Sequence, residues 1–212
     1  GVNNSGPGMG AAPELLTEVA RNIIRLDLAR GVAKFSPRIE LPLAPFMGIM
    51  AVAPPPAQAP ANTRPPGAFG GNMDCWEVRP GNTVHLGVNV PGAMLSVGDG
   101  HYAMGQGEIM GAAIEGAMQV ELFVELLRKE ATPVPRIENL DEVMFVGSGR
   151  PLEDAARVAF KAMIGWVRAR TKLTEMDAYQ FVSQQARAHI VQIVDPEYTV
   201  LVALDKARLP KS

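Results

Sequence analysis

The chain has 212 residues, a formal net charge of −2, 47% hydrophobic residues and 20% charged ones. That length and composition can bury a sizeable core in one or two globular units and argue against disorder. The near-neutral charge gives no electrostatic reason to expect nucleic acid or an anionic membrane as partner, and no apolar run reaches the roughly 20 residues of a membrane span.

The 18 prolines and 21 glycines favour turn-rich β structure over a helix bundle. A single cysteine, Cys75, leaves no internal disulfide, and a cytoplasmic setting is expected. The amino end, Gly1 to Gly8, lacks an initiator Met and the charged-then-apolar pattern of a signal peptide, so sequence upstream is expected.

Residues 1–12 read as a loop and 15–21 as a short helix. From Ile24 the chain alternates, with Ile24, Leu26 and Leu28 apolar against Arg25 and Asp27, which is the pattern of a half-buried strand. Residues 39–43 repeat it between Pro37 and Pro45. Residues 53–71 are dominated by Pro, Ala and Gly; because the densest chemistry follows at once, this stretch is expected to fold over a site. Further strands are expected over residues 84–90 and 120–126, with a glycine-punctuated loop over 98–107. His85 falls on the polar side of its strand and reads as solvated; His189 has no acidic neighbours.

After about Pro135 the pattern changes. Residues 143–146 suit a short buried strand. Leu152, Ala155, Ala156, Ala159, Phe160, Met163, Ile164 and Val167 then form one helical stripe behind Pro151. Thr174 and Asp177 form a capping pair for a second helix, with Tyr179, Phe181 and Val182 packing inward. Strands over 189–194 and 198–204 close the chain around Asp195-Pro196-Glu197. The expected architecture is α+β: a mainly-β domain over 1–135 and a smaller α+β module over 136–212.

The candidate chemistry lies in three pieces: Gly70-Gly71-Asn72-Met73-Asp74, then Val97-Gly98-Asp99-Gly100-His101, then Gly105-Gln106-Gly107-Glu108 with Glu115 beyond. Asp99 and His101 are two apart, so an extended backbone directs carboxylate and imidazole to one side. A divalent ion accepts that mixed oxygen–nitrogen pair, and Asp74 can add a third ligand. Glycines 105 and 107 let the backbone turn Glu108 back towards the same place, where it could take a proton from water. A bland reading stands beside this, since Asp-Gly-His is a common turn. Cys75 reads as a buried apolar residue, and no phosphate loop or serine elbow is present.

These three pieces, joined by Val90-Pro91-Gly92-Ala93-Met94-Leu95-Ser96 and Ala113-Ile114-Glu115, resemble the signature of the acetamidase/formamidase family in order and spacing. Pro45-Phe46-Met47-Gly48, Val52-Ala53-Pro54 and the closing hairpin extend the likeness. The resemblance implies a sandwich-like, mainly-β fold with an α+β appendage. It also implies hydrolysis of small amides such as formamide or acetamide, with lactams as further candidates, to acid and ammonia or amine by metal-activated water. A divalent metal, zinc for choice, is expected at Asp74, Asp99 and His101, with Glu108 as acid/base and Glu115 beside it. The family's upstream half, with a His-Pro segment and a Glu-Gly-Ala segment, has no counterpart in the sequence. A homo-oligomer is expected, and so is a separate amino-terminal part of the same protein packed against residues 22–130. The readings from other classes are a non-catalytic β-sandwich module with a structural metal, and a subunit whose role is assembly alone.

Overall fold

A computed structural model describes residues 1–59 and 61–209; Pro60, inside the Pro-rich stretch, and residues 210–212 of the α+β module lie outside the described residues. The strands are β1 (Val2–Ser5), β2 (Ala20–Ile23), β3 (Arg25–Asp27), β4 (Val32–Ser36), β5 (Ile39–Pro42), β6 (Phe46–Ala51), β7 (Gly70–Asn72), β8 (Thr83–His85) and β9 (Ser96–His101). They continue with β10 (Arg136–Glu138), β11 (Glu142–Gly149), β12 (Arg187–Gln192) and β13 (Tyr198–Asp205). Two helices, α1 (Leu152–Arg170) and α2 (Glu175–Gln185), separate β11 from β12. The expected α+β, mostly-β class is what the chain adopts.

A five-stranded antiparallel sheet, ordered β12-β13-β11-β10-β8, forms the centre. Its middle strands are apolar on both faces because both are covered. Val143 and Phe145 of β11, with Val200, Val202 and Leu204 of β13, meet Ala155, Ala159, Met163 and Val167 of α1 and Val182 of α2. The alternate residues Met144, Val146, Leu201 and Ala203 face the other way, against Met47, Met73, Cys75 and Val78. The sheet draws strands from both sides of residue 135, since β8 pairs with β10. Beyond that second core lies a three-stranded sheet, β7-β6-β9, which carries the candidate residues.

Several expectations are corrected. No helix covers residues 15–21: Pro13–Leu15 is a single 3-10 turn, and β2 pairs with β1, which occupies the expected amino-terminal loop. The side chains of β1 make that pairing possible. Asn3 donates to the carbonyls of Ala112 and Ala113, and Ser5 donates to that of Met110. The strand expected from Ile24 to Leu28 shrinks to Arg25–Asp27, and the one expected over 84–90 to Thr83–His85, which matches its three-residue partner β10. Residues 120–126 alternate as a strand should but have no strand partner among the described residues, and Phe123 is 97% exposed. The first part of the 98–107 loop is instead the end of β9, paired with β6.

His85 is not solvated; it is half-buried, with Arg136 3.2 Å from its Nδ1 and Glu138 3.5 Å from its Nε2. In α2, Ala178 and Val182 turn inward while Tyr179 is exposed. Thr174 caps that helix as expected, accepting from the Asp177 N–H at 3.1 Å. Among the described residues no helix is long and apolar enough to cross a membrane.

Candidate metal centre

The site is built on the face of β6 and β9 away from Met47. Phe46 pairs with His101 across these strands, and Met47 with Gly100, which places Asp99 and His101 on the same side. Asp74 follows β7 and is held by its own N–H, which donates to the Gly48 carbonyl at 3.1 Å. Glu108 sits in a turn anchored to the central sheet: Gly107 donates to the Val191 carbonyl, and Ile193 donates back to that of Gly107. Glu115 bridges Val2 and His101 by backbone pairing.

All five residues singled out from the sequence therefore border one cavity of about 370 Å³. His101 Nε2 lies 3.2 Å from Asp99 Oδ2, 3.2 Å from Glu115 Oε2 and 3.8 Å from Asp74 Oδ1. Asp74, His101 and Glu108 offer ligand atoms within 4.8 Å of one another, and so do Asp99, His101 and Glu115. Asp74, His101 and Glu108 are buried, whereas the Asp99 and Glu115 side chains are about 30% and 27% exposed. The ring of His101 is wedged by the edge of Phe46, with centroids 4.8 Å apart.

The electrostatics are those of crowded carboxylates. Burial raises the Asp74 carboxyl well above its usual range, and the charges of Glu108, Asp195 and Asp99 add to that. Burial likewise pushes Glu108 up to about 7, against the pull of His101. For His101 burial acts downward, but Asp99 and Glu115 outweigh it and lift the imidazole to about 10. Burial would raise Asp99 too, yet the His101 contact holds it below its usual value. With no cation bound, protonated His101 supplies positive charge among these carboxylates, and a cation bound there would take over that role as the imidazole gives up its proton.

The backbone is distorted at the same points. Among the described residues six non-glycine residues have positive φ, and three of them are Asp74 (50°), Asp99 (61°) and Glu108 (46°). Such conformations cost on the order of 1–3 kcal/mol each and concentrate where function over-determines them.

These residues fit a divalent cation. Asp74 Oδ1 is buried with no hydrogen-bond partner among the described residues, which is costly for a carboxylate oxygen unless something positive meets it. One imidazole nitrogen among carboxylate oxygens is a donor set that zinc and harder divalent ions accept.

Two residues the sequence reading left unassigned complete the wall. Asn72 Nδ2 donates to Asp195 Oδ2 at 2.7 Å and to Asp74 Oδ2 at 3.1 Å, tying two carboxylates together. Asp195 is delivered by Gln192, whose Oε1 accepts from the Val194 and Asp195 N–H groups. Its carboxyl is raised, by burial first. Asn72 stood inside the quoted motif, so its type was visible. Asp195 carried no signal beyond a turn. Arg64, from the Pro-rich stretch, also lines the cavity.

Known proteins carry the same framework. Residues 56–207 match the model of the Acetamidase/Formamidase family. The acetamidase of Bacillus halodurans superposes with a TM-score of 0.92 at 34% identity, over 97% of this chain and 68% of that one. The acetamidase of Yersinia enterocolitica gives 0.84 at 32% identity, over 100% of this chain and 65% of that one. A protein of Schizosaccharomyces pombe named as a formamidase is 43% identical over 60 residues, which is 28% of this chain and 15% of that relative. The chain thus spans about two thirds of the length of the two solved structures and aligns with a far smaller share of the yeast protein. With the family model matched across well over half of the sequence and a fold shared nearly end to end, the chain belongs to the acetamidase/formamidase family.

Proposed function

We propose that this protein hydrolyses the carbon–nitrogen bond of small amides, R–CO–NH₂ + H₂O giving R–COOH + NH₃, at a divalent metal held by Asp74, Asp99 and His101. The observation that carries the reading is the buried His101 ringed by carboxylates, beside a Glu108 lifted to about 7. When bound, a divalent cation supplies Lewis acidity, polarising a carbonyl and acidifying water.

In the ion-free site burial lifts Glu108 to about 7, near the range in which a carboxylate serves as a base at neutral pH. Glu108 takes the proton of the attacking water and returns it to the departing nitrogen. Glu115 aims one oxygen at the same imidazole nitrogen that would meet the cation, so it stands at the edge of the ion's site, and its other oxygen accepts from the Ala113 N–H at 2.8 Å. Asn72 keeps Asp74 and Asp195 in register. Zinc is the ion proposed, since imidazole nitrogen with carboxylate oxygen suits it. Lactams present the same bond inside a ring and are proposed as further substrates.

Ammonia release from formamide and acetamide, measured on the full protein before and after chelation, tests the reading. Turnover that disappears with chelator and returns with zinc is expected. Unchanged turnover in chelator would sink metal dependence; a tightly held metal without any turnover would leave a binding module with a structural ion. The exposed run at 120–127, with Phe123 bare, supports the proposals that another polypeptide packs against residues 22–130 and that the protein is a homo-oligomer. Native mass spectrometry tests both.

A further inference from the structure

Taking the cation of the proposed function as given, we propose that Gly48 is a determinant of cation binding: its missing side chain reserves the volume the ion occupies. Gly48 is buried in β6, the middle strand of its sheet. Its φ lies outside the left-handed region, so the backbone there does not demand glycine. Space does. A Cβ on Gly48 would stand 2.5 Å from Asp99 Oδ2, 2.8 Å from Asp74 Oδ1 and 3.0 Å from His101 Nε2. A Cβ ordinarily keeps about 3.4–4 Å from neighbouring heavy atoms, so a methyl group does not fit among the donors as they stand.

The three atoms come from the loop after β7 and from β9, and one of them is the buried Asp74 oxygen that lacks a partner. All three surround the position that a Gly48 Cβ would take. Neighbouring strand glycines differ. A Cβ on Gly98 would meet nothing within 4 Å, and one on Gly100 would meet the Gly116 carbonyl and Met118. Among the described glycines only Gly48 faces three candidate ligand atoms.

Alanine at 48 has two ways to settle, and both remove the site. Either its methyl takes the point the ion needs, or the three side-chain tips swing outward to make room. Coordination tolerates only about 0.2 Å of error in ligand distance, and a methyl group displaces the donors by more. The strand itself is spared, because the crowding is with side-chain ends and alanine is at ease in the backbone conformation.

The test is zinc titrated calorimetrically into chelator-stripped full protein, as wild type, Gly48→Ala and Gly98→Ala, with melting curves with and without zinc. Wild type and Gly98→Ala should bind. Gly48→Ala should keep a metal-free melting point within a few degrees of wild type, yet lose at least about 100-fold in zinc affinity and the zinc-induced rise in melting temperature. Gly48→Ala binding within about threefold of wild type overturns the proposal. A wild type that binds no zinc fails earlier, at the metal-dependent reading. If Gly48→Ala does not fold, anomalous scattering at the zinc edge from wild-type crystals decides. With ligand bonds of about 2.0–2.2 Å, an ion within about 5 Å of the Gly48 Cα supports the assignment, and one farther away refutes it.

Discussion

Replacing Glu108 with Gln should separate catalysis from stability, and the two effects should have opposite signs. The substitution keeps shape and removes the proton acceptor. General bases contribute about 10²–10⁴-fold, so kcat/KM for acetamide should fall by that factor, on the order of 3–5 kcal/mol of transition-state stabilisation. Stability should move the other way. Burial lifts the Glu108 carboxyl from 4.5 to about 7, which corresponds to on the order of 3 kcal/mol of penalty on its ionised form. A folded pKa above the unfolded one means that the folded state holds the proton more tightly. That contribution is complete below about pH 4.5 and is lost as pH rises through about 7. Gln has nothing to lose. In metal-free protein the melting point of Glu108→Gln, relative to wild type, should therefore climb between pH 5 and pH 8. For a chain of this length each kcal/mol is worth about 2–4 °C, so the climb should reach about 5–10 °C. Ammonia release and scanning calorimetry read the two halves separately. Turnover within about threefold of wild type would refute the base assignment, and a melting gap that does not widen with pH would refute the electrostatics.

Asn72→Ala removes the amide that ties Asp74 to Asp195. Zinc affinity should drop about 10–100-fold while the metal-free melting point changes little, and calorimetric titration reads both. Gly147→Ala tests the scaffold instead. A Cβ there would overlap the Ala155 carbonyl and lie 2.6 Å from the Ala159 N, forcing α1 off β11. Overpacking of this kind costs about 1–3 kcal/mol, measurable by urea unfolding, and a neutral result would show that the helix shifts freely.

What could be read from the residues follows from which interactions are local. The α1 stripe and the twin strands β11 and β13 were legible because each side chain reports its own burial, and a strand covered on both faces is apolar throughout. Asp99 and His101 were legible as a pair because two residues apart on an extended chain means one face. Asp74, Glu108 and Glu115 were visible as types near glycines, but their convergence depends on turns that no periodicity encodes. Asp195 was not legible at all. It reaches Asn72 across 123 positions, and the Gln192 side chain holds its turn from within. The β1–β2 pair was hidden because Asn3 and Ser5 look like loop residues until their carbonyl partners near residues 110–113 are known. Residues 120–126 show the converse: alternation marks a strand's propensity, but a strand needs a neighbour.

The centre is costly in three ways at once, and the fold is arranged around that cost. Three carboxylate residues are held at positive φ, an acceptor on Asp74 is buried without a partner, and Asp74 is surrounded by the like charges of Glu108, Asp195 and Asp99. None of these would persist on a free loop. Each is pinned to β structure: Asp74 by the Gly48 carbonyl of β6, Asp99 and His101 by β9 against β6, and the Glu108 turn by the Val191 and Ile193 backbone along and just past β12. Those strands in turn lean on a sheet packed on both faces, one against α1 and α2 and the other against Met47, Met73 and Cys75. Interior packing of that kind is stiff, and it can hold repelling groups at fixed separation. A cation bound among them converts the repulsion into attraction, and a ligand that binds only the folded state raises its stability by mass action. On the proposed reading, catalysis and folding therefore draw on the same ion, and stripping the metal should loosen the turns at Asp74 and Glu108 before it disturbs the sheet behind them.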